Sequence, residues 1–396
     1  MASEGTAIMQ RTANVQGTAI MQRTANMQRT IDRSRVGLET GGIHMSRADG
    51  WAAIQLEMPD RVPRTEYSAE SHWALVSKVT GISVTADSDE AERRRASGAF
   101  KKAWNYDFIW NIRIHNQIFG EKRTTMGHAK YASGGVDFVT DVHALYDDPE
   151  VALGFDPWEL YGPVDHQTEV AAFNRHYADS CIENPDAVNM TGIYTTCMSG
   201  LIEVFGWDTL LCAAGIDSDG FGEVTNRYCD WISQYFRAMA DSDAPVVMVH
   251  DDIVWTGGAF LHPDWYRKYI FPNYKRMFAP LIESGKKIMF TSDGTYNEFI
   301  DDIAACGVNG FVMEPTTDMA YIAEKYGKTH SFIGNADTRI LLFGTREEIE
   351  AEVKRCMDIG KKCPGFFMAV GNHIPANTPV ENCLIYQDAY LRHSRR

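Results

Sequence analysis

Val246-Val247-Met248-Val249-His250-Asp251-Asp252 decides how this chain is read. Four apolar residues lead straight into one histidine and two carboxylates. A short apolar run with β-branched residues reads as a buried strand. Charged side chains avoid full burial unless paired, so the acidic end is expected at a strand tip. The pattern returns in Lys287-Ile288-Met289-Phe290-Thr291-Ser292-Asp293, Gly310-Phe311-Val312-Met313-Glu314, Ser331-Phe332-Ile333-Gly334-Asn335-Ala336-Asp337 and Phe366-Phe367-Met368-Ala369-Val370-Gly371-Asn372-His373. Each apolar run ends in an ionisable or amide side chain, and helical sequence fills most of the gaps. That repetition is the signature of βα units in a parallel sheet or barrel, with a polar site at the carboxyl ends of the strands.

The fold class expected is α/β: a (β/α)8 TIM barrel over residues 59–396, with an N-terminal extension and loop insertions. A dinucleotide-binding sheet is disfavoured, because neither GxGxxG nor GxxxxGK[ST] occurs; Gly220-Phe221-Gly222 is only a fragment of the first. Residues 1–58 are expected to be a leader, flexible in part, since Gly5 through Asn14 returns as Gly17 through Asn26. Two copies are too few for a solenoid. Met58 to Arg64 reads as an extended entry, because each proline biases its predecessor away from helix. Trp104 to His115 and Ala187 to Tyr194 read as strands, and Val136 to Val142 as a further one inside a loop-rich stretch from Gly120 to Pro163. A helix is expected from Pro263 to Ser284, kinked at Pro272 and Pro280. Thr345 with Glu348 forms a capping box, Thr378-Pro379 caps and opens the last helix, and Gly285, Gly307, Gly327 and Gly360 are expected as left-handed stops.

The bulk numbers fix the class of partner. The chain has 396 residues, 44% hydrophobic, enough for a sizeable core, and a net charge of −15. Such acidity argues against nucleic acid or an anionic membrane as the main partner. No apolar run reaches membrane-spanning length and no signal-peptide core is evident, so a cytoplasmic location is expected. The eight cysteines form no CxxC pair and read as free thiols.

On the barrel reading, strand tips converge on one mouth. The catalytic candidates are His250, Asp252, Asp293, Glu314 and His373; Tyr194, Asn335 and Asp337 are candidates for binding substrate. Crowded carboxylates raise one another's pKa, and one then serves as a general acid. Alternatively they share a cation: Asp293, Glu314 and His373 make a mixed N/O set acceptable to zinc. The plainer reading of Asp251 or Asp337 is a helix cap or an ion pair with Arg339.

At these residues the chain resembles the uroporphyrinogen decarboxylase superfamily, which includes corrinoid-dependent methyltransferases. The resemblance runs from Asp60 to Arg392. It rests on Asp60-Arg61-Val62-Pro63, His250-Asp251-Asp252, Ser292-Asp293-Gly294, Gly334-Asn335-Ala336-Asp337, Gly344-Thr345 and Ile374 through Asn382. It implies a (β/α)8 barrel, in agreement with the strand pattern. True decarboxylases carry an arginine-rich MRQAGRY-like segment near the start. Here Arg64-Thr65-Glu66-Tyr67-Ser68-Ala69-Glu70 stands there, and its acidic residues are expected to repel a polyanionic porphyrinogen. The thiol-methylating branch binds zinc through His-x-Cys-Gly and a later cysteine, where this chain has Thr291-Ser292-Asp293-Gly294 and Val370-Gly371. What remains is similar to the O-demethylase methyltransferases. The resemblance therefore implies transfer of a methyl group from a small donor, such as a methoxylated aromatic, to a cobalamin carried by a partner corrinoid protein, with zinc a further cofactor and a homodimer a further expectation. The alternatives are porphyrinogen decarboxylation, for which Arg113, Arg339 and a few lysines are the available cations, and a non-catalytic binding barrel.

Overall fold

The computed structural model describes residues 44–125 and 143–396. The expected strand from Val136 to Val142 and the repeat before residue 44 lie outside them. The chain divides into Met1–His44 and Met45–Arg396, and the architecture below is that of the second unit.

Parallel strands alternate with helices through this unit. β1 (Phe108–Ile109) pairs with β2 (Val188–Asn189). β3 (Thr191–Ile193) opens a six-stranded parallel sheet with β4 (Val246–His250), whereas β5 (Val254–Trp255) and β6 (Gly258–Ala259) form a small antiparallel hairpin outside it. The sheet continues through β7 (Lys287–Ser292), β8 (Gly310–Met313), β9 (Ser331–Ala336) and β10 (Phe366–Val370), in the order β10-β9-β8-β7-β4-β3. Together the two parallel sheets hold eight strands in seven courses, since β2 and β3 are one course of chain interrupted at Met190, and the entry stretch takes the remaining position of a (β/α)8 barrel with extensions. The entry stretch lies between β10 and β1: Met368 N–H donates to Pro63 O, Thr65 N–H to Met368 O, and Asp107 N–H to Arg64 O.

Alternation along the strands sorts the side chains into two cores. Phe108, Val188, Met190, Val246, Met248, Met289, Val312, Ile333, Phe367 and Ala369 pack inside the barrel. Their neighbours in sequence, such as Val247, Val249, Ile288, Phe290, Phe311 and Phe332, pack outward under the helices. Each such side chain contributes roughly 1.5–3 kcal/mol by burial. The helix Arg47–Ile54 lies within the stretch expected to be leader; Ala53 and Ile54 join the inner core, and Ser331 Oγ donates to Ala53 O at 3.1 Å. Helix Met198–Ile216 is apolar enough and long enough to cross a membrane by those two criteria alone. Burial of Leu201, Ile202, Val204, Phe205 and Leu210 in the outer core accounts for its apolarity, and Gly206 kinks it at φ 72°.

Several local expectations are corrected. The Trp104–His115 strand shrinks to Phe108–Ile109, because Trp104 still caps the preceding helix and Asn105 turns at φ 58°. The long helix from Pro263 splits into Pro263–Tyr269 and Phe271–Glu283: Pro272 has no N–H to offer the preceding turn, whereas Pro280 stays within the second helix. Gly285 and Gly307 are left-handed, at φ 75° and 91°. Gly327 and Gly360 are not left-handed stops. They are small for packing: a Cβ would lie 2.3 Å from Ala323 O at the first and 2.4 Å from the Phe366 ring at the second. The Thr345 capping box forms as expected. Thr378 is not a cap, because Pro379 occupies that position and the helix begins at Val380.

The entry stretch is held by buried charge. Asp107 accepts two 2.6 Å bonds from the Arg61 guanidinium, and the N–H groups of Arg64 and Ser46 at 2.9 and 2.7 Å. Arg64 and Glu66 pair at 2.9 Å with no exposure, and Glu66 also accepts from Tyr386 OH and Val370 N–H. Both point outward beneath the last helix. Glu66 therefore lies away from the mouth, and the expected repulsion of a polyanion does not run through it. Removing one member of a buried pair leaves the other charge uncompensated, at a cost of about 3–5 kcal/mol. Asp107→Ala is predicted to lower the urea midpoint by that equivalent without changing the slope; a shift under about 1 kcal/mol would contradict the assignment.

Candidate active site

The strand tips meet at one end of the barrel. Alternation carries the inward face from Met248 through His250 to Asp252 on β4, and from Met289 through Thr291 to Asp293 on β7. His250 and Thr291 are register partners. One ligand atom each from His250, Asp252 and Asp293 lie within 4.8 Å of one another. His250 and Asp252 are buried, and Asp293 is the most exposed of the three.

Hydrogen bonds fix this cluster. Asp252 Oδ1 lies 3.2 Å from His250 Nε2 and accepts the Asp293 N–H at 3.0 Å. Asp252 N–H donates to Ser199 Oγ at 2.7 Å. His250 stacks on Tyr194, with centroids 3.7 Å apart and planes 7° apart, and its Nδ1 faces Tyr194 O at 3.2 Å. The tautomer that donates Nδ1–H to that carbonyl turns the Nε2 lone pair toward Asp252. Two acceptors then face each other, which a proton or a metal ion between them relieves. A backbone carbonyl on Nδ1 is also how a metal-binding imidazole is commonly oriented.

Asp251 faces the other way and serves the scaffold. It is fully buried, and accepts the N–H groups of Cys197 and Ser199 at 3.1 and 2.7 Å and Tyr274 OH at 2.5 Å. Those bonds tie the start of helix Met198–Ile216 to β4. Burial pushes its carboxyl up, against the pull of these donors.

The other expected residues are placed as follows. Glu314, at the tip of β8, accepts Gly294 N–H at 2.9 Å and the Asn372 side-chain amide at 2.5 Å. Gly294 must be glycine: its φ is 80° and a Cβ would sit 2.7 Å from the Trp255 carbonyl. His373, after β10, pairs through Nδ1 with Ser68 Oγ at 2.8 Å and lies edge-on to Tyr67. Asn335 donates to the carbonyls of Glu314 and Thr317, and its Oδ1 accepts from Arg355. Asp337 caps helix Thr338–Phe343 and pairs with Arg339 at 2.6 Å. The structure thus commits Asn335 and Asp337 to partners within the fold. Of the zinc set expected from sequence, Asp293 lies in the three-residue cluster; the other two members of that cluster are His250 and Asp252, in place of Glu314 and His373.

That cluster offers one nitrogen and two carboxylate oxygens. Three protein ligands leave a fourth position open, as at catalytic zinc. Metal–ligand distances of about 2.1 Å give a tetrahedral edge of roughly 3.4 Å, so donor atoms that lie within 4.8 Å of one another would draw closer to share an ion. The donor chemistry fits; thiolates are not part of it. Cys197 turns instead toward Cys229, their sulfurs 3.0 Å apart in the outer core.

Sequence reasoning passed over Tyr67, Ser199, Thr291 and Asn372. Tyr67 stacks on Trp110, with centroids 4.8 Å apart, and both pack against the inner core. Alternation beyond Thr65 was the signal for Tyr67, hidden by the charged residues around it. The cations expected for a basic mouth are neutralised: Arg113 pairs with Glu169 at 2.6 Å, and Arg339 with Asp337. A hollow of about 460 Å³ beside Trp51, Val188 and Pro245 lies at the amino ends of the strands, opposite the mouth.

A parallel barrel with titratable groups at its carboxyl mouth is an enzyme-type architecture. Comparison with known proteins narrows the class. Residues 196–392 match the family model described as Uroporphyrinogen decarboxylase (URO-D). The uroporphyrinogen decarboxylase of Azoarcus sp. is 30% identical over 172 residues, covering 42% of this chain and 46% of that protein. That of Carboxydothermus hydrogenoformans is 28% identical over 166 residues, covering 41% and 45%. The chain spans about half the length of the curated relatives it matches. Among solved structures, a methyltransferase from Methanosarcina mazei superposes with a TM-score of 0.58 at 17% identity, over 87% of this chain and 97% of that one. The chain is thus similar to that family over residues 196–392, and its likeness to the solved methyltransferase is one of fold.

Burial lowers the His373 pKa below its ordinary 6.5. The imidazole therefore stays neutral in the native state to a lower pH than in the unfolded chain. Its contribution to stability is intact above about 6.5 and is lost as pH falls through the lower native value. Titration of the His373 ring by NMR is predicted to give a midpoint below 6.5; a midpoint at or above it would contradict this placement.

Proposed function

We propose that this barrel catalyses transfer of a methyl group from a small methylated donor to the corrinoid of a separate protein. The reading rests on the His250–Asp252–Asp293 cluster at the mouth. An alkoxide or phenoxide is a poor leaving group, so the reaction needs a proton or a Lewis acid at the leaving oxygen. Asp252 and Asp293 are the groups suited to deliver a proton to that oxygen. The same two carboxylates with His250 Nε2 would hold a zinc-type ion, which when bound supplies Lewis acidity at that oxygen. The partner's corrinoid, when docked, supplies the nucleophile. The carbon–oxygen bond breaks, its electron pair stays on oxygen, and oxygen takes the proton. Tyr194 keeps the His250 ring in plane, and Glu314 holds Gly294 and hence the Asp293 turn.

The second reading is decarboxylation of a porphyrinogen or a related carboxylate-bearing ring. The comparisons favour it: the curated relatives cited bear that name. Against it stands the pairing of the two arginines expected for a basic mouth, since a polyanionic substrate needs cations free to meet it and Arg113 and Arg339 each carry a carboxylate partner.

The two readings separate in one pair of assays. Under methyl transfer, cob(I)alamin with one of a panel of methoxylated aromatics, methylated amines and thiols yields the methylcobalamin spectrum. Asp293→Ala is then expected to lower the rate at least about a hundredfold. Carbon dioxide release from uroporphyrinogen, with no methylcobalamin formed from any donor, would overturn the proposal in favour of decarboxylation.

A further inference from the structure

The foot of the barrel carries a second opening, remote from the mouth. A hollow of about 460 Å³ is lined by Arg47, Ala48, Trp51, Tyr177, Val188 and Pro245. Small-molecule sites are of this order, roughly 300–1,000 Å³. Val188 opens β2 and Pro245 precedes β4, which sets the hollow at the amino ends of the strands. Trp51 is half-buried against the inner core, and Tyr177 is half-buried on helix His166–Glu183. Asn189 also borders the hollow, but its amide is in use: it accepts from Ser180 Oγ and donates to the carbonyls of Asn184 and Ala187.

Arg47 is the one charged group of this lining. Asp49, two residues on, is taken by Arg61 at 3.1 Å. No carboxylate pairs with Arg47 among the described residues. Its charge reaches Tyr177: burial and a hydrogen bond with Cys181 push that phenol up to about 12, and Arg47 pulls against them. Tyr177 therefore stays neutral at ordinary pH. Asp243 acts on Tyr177 and also on Lys286, so its charge is shared with a cation. The lining thus selects for three properties. Two aromatic side chains beside an apolar floor suit a flat ring. One guanidinium suits one carboxylate, which it meets with two parallel hydrogen bonds. A second negative charge finds no partner here, and a cation meets like charge.

We infer that this hollow binds a small aryl monocarboxylate, with its ring between Trp51 and Tyr177 and its carboxylate on the Arg47 guanidinium. The inference does not rest on the methyl-transfer reading, because the hollow and the mouth lie at opposite ends of the barrel and share no residue. Helix Arg47–Ile54 joins the hollow to the barrel, since its Ala53 and Ile54 belong to the inner core. A ligand held between this helix and helix His166–Glu183 binds only the folded chain, and so raises its Tm.

The probe is 2-naphthoate, and its control is 2-naphthamide, which has the same ring and no charge. Both are titrated by calorimetry into the full chain, Arg47→Ala and Ala48→Trp. Arg47 and Ala48 are exposed, so neither change touches the core. The first removes the cation, and the second fills the hollow. The expected result is saturable one-site binding of naphthoate, weakened about tenfold in Arg47→Ala and lost in Ala48→Trp. The amide is expected to bind about tenfold more weakly than naphthoate, and equally well to Arg47→Ala and the unmodified protein. Naphthoate is expected to raise the Tm of the unmodified protein and not that of Ala48→Trp. The Trp51 indole N–H resonance, assigned through Trp51→Phe, is expected to shift with naphthoate, which serves if either other variant fails to fold. No saturable binding, equal affinity for the amide, or a stationary Trp51 resonance would overturn the inference. Binding that survives Ala48→Trp unchanged would overturn it as well, by placing the anion elsewhere.

Discussion

The site depends on the register that sets His250 of β4 beside Thr291 of β7. Strand side chains alternate, so a slip of one residue would exchange the inner and outer faces of a strand. Met248 and Met289 would leave the inner core for the helix layer, and His250, Asp252 and Asp293 would follow them. The apolar runs that build the core therefore also fix which side of each tip carries chemistry. Of the consecutive pair Asp251 and Asp252, one must face the helices and the other the mouth. Asp251 binds the first N–H groups of helix Met198–Ile216, and Asp252 faces His250.

The tips are then joined to one another. Asp293 N–H reaches Asp252, Gly294 N–H reaches Glu314, and the Asn372 amide reaches Glu314 from after β10. These bonds run tip to tip across β4, β7, β8 and β10. A centre held in this way reorganises little during a reaction, which is where electrostatic stabilisation is most effective. The buried ion pairs of Arg61 with Asp107 and Arg64 with Glu66 sit elsewhere and close the entry stretch onto β10 and β1. Charge is thus divided between closing the barrel and lining its mouth.

Much of the fold was legible in the sequence. β4, β7, β8, β9 and β10 are continuous apolar runs with charged or amide ends, so their buried cores and their tips were both visible. The entry stretch was harder, because Arg61, Arg64 and Glu66 mask a barrel position that is fully buried only through pairing. Gly327 and Gly360 look like left-handed stops in sequence, and only the packing of Ala323 and Phe366 shows why they are small. At the site, the tip residues were readable one by one, but their allotment was not. No spacing reveals that Glu314 is taken by Gly294 and Asn372, that Asp337 is taken by Arg339, or that Tyr194 stacks on His250. The stack of Tyr67 on Trp110 joins residues 43 positions apart, which only closure of the barrel brings together.

A cation- or proton-binding centre shared by β4 and β7 underlies the proposed chemistry. The most direct measurement is X-ray diffraction from crystals grown with zinc, with data collected at the zinc edge. The predicted result is one anomalous peak bounded by His250 Nε2 and the carboxylates of Asp252 and Asp293, lost in crystals of Asp252→Asn with the barrel otherwise unchanged. A peak held instead by Glu314 and His373, or a mouth that takes up no zinc at neutral pH, would contradict it.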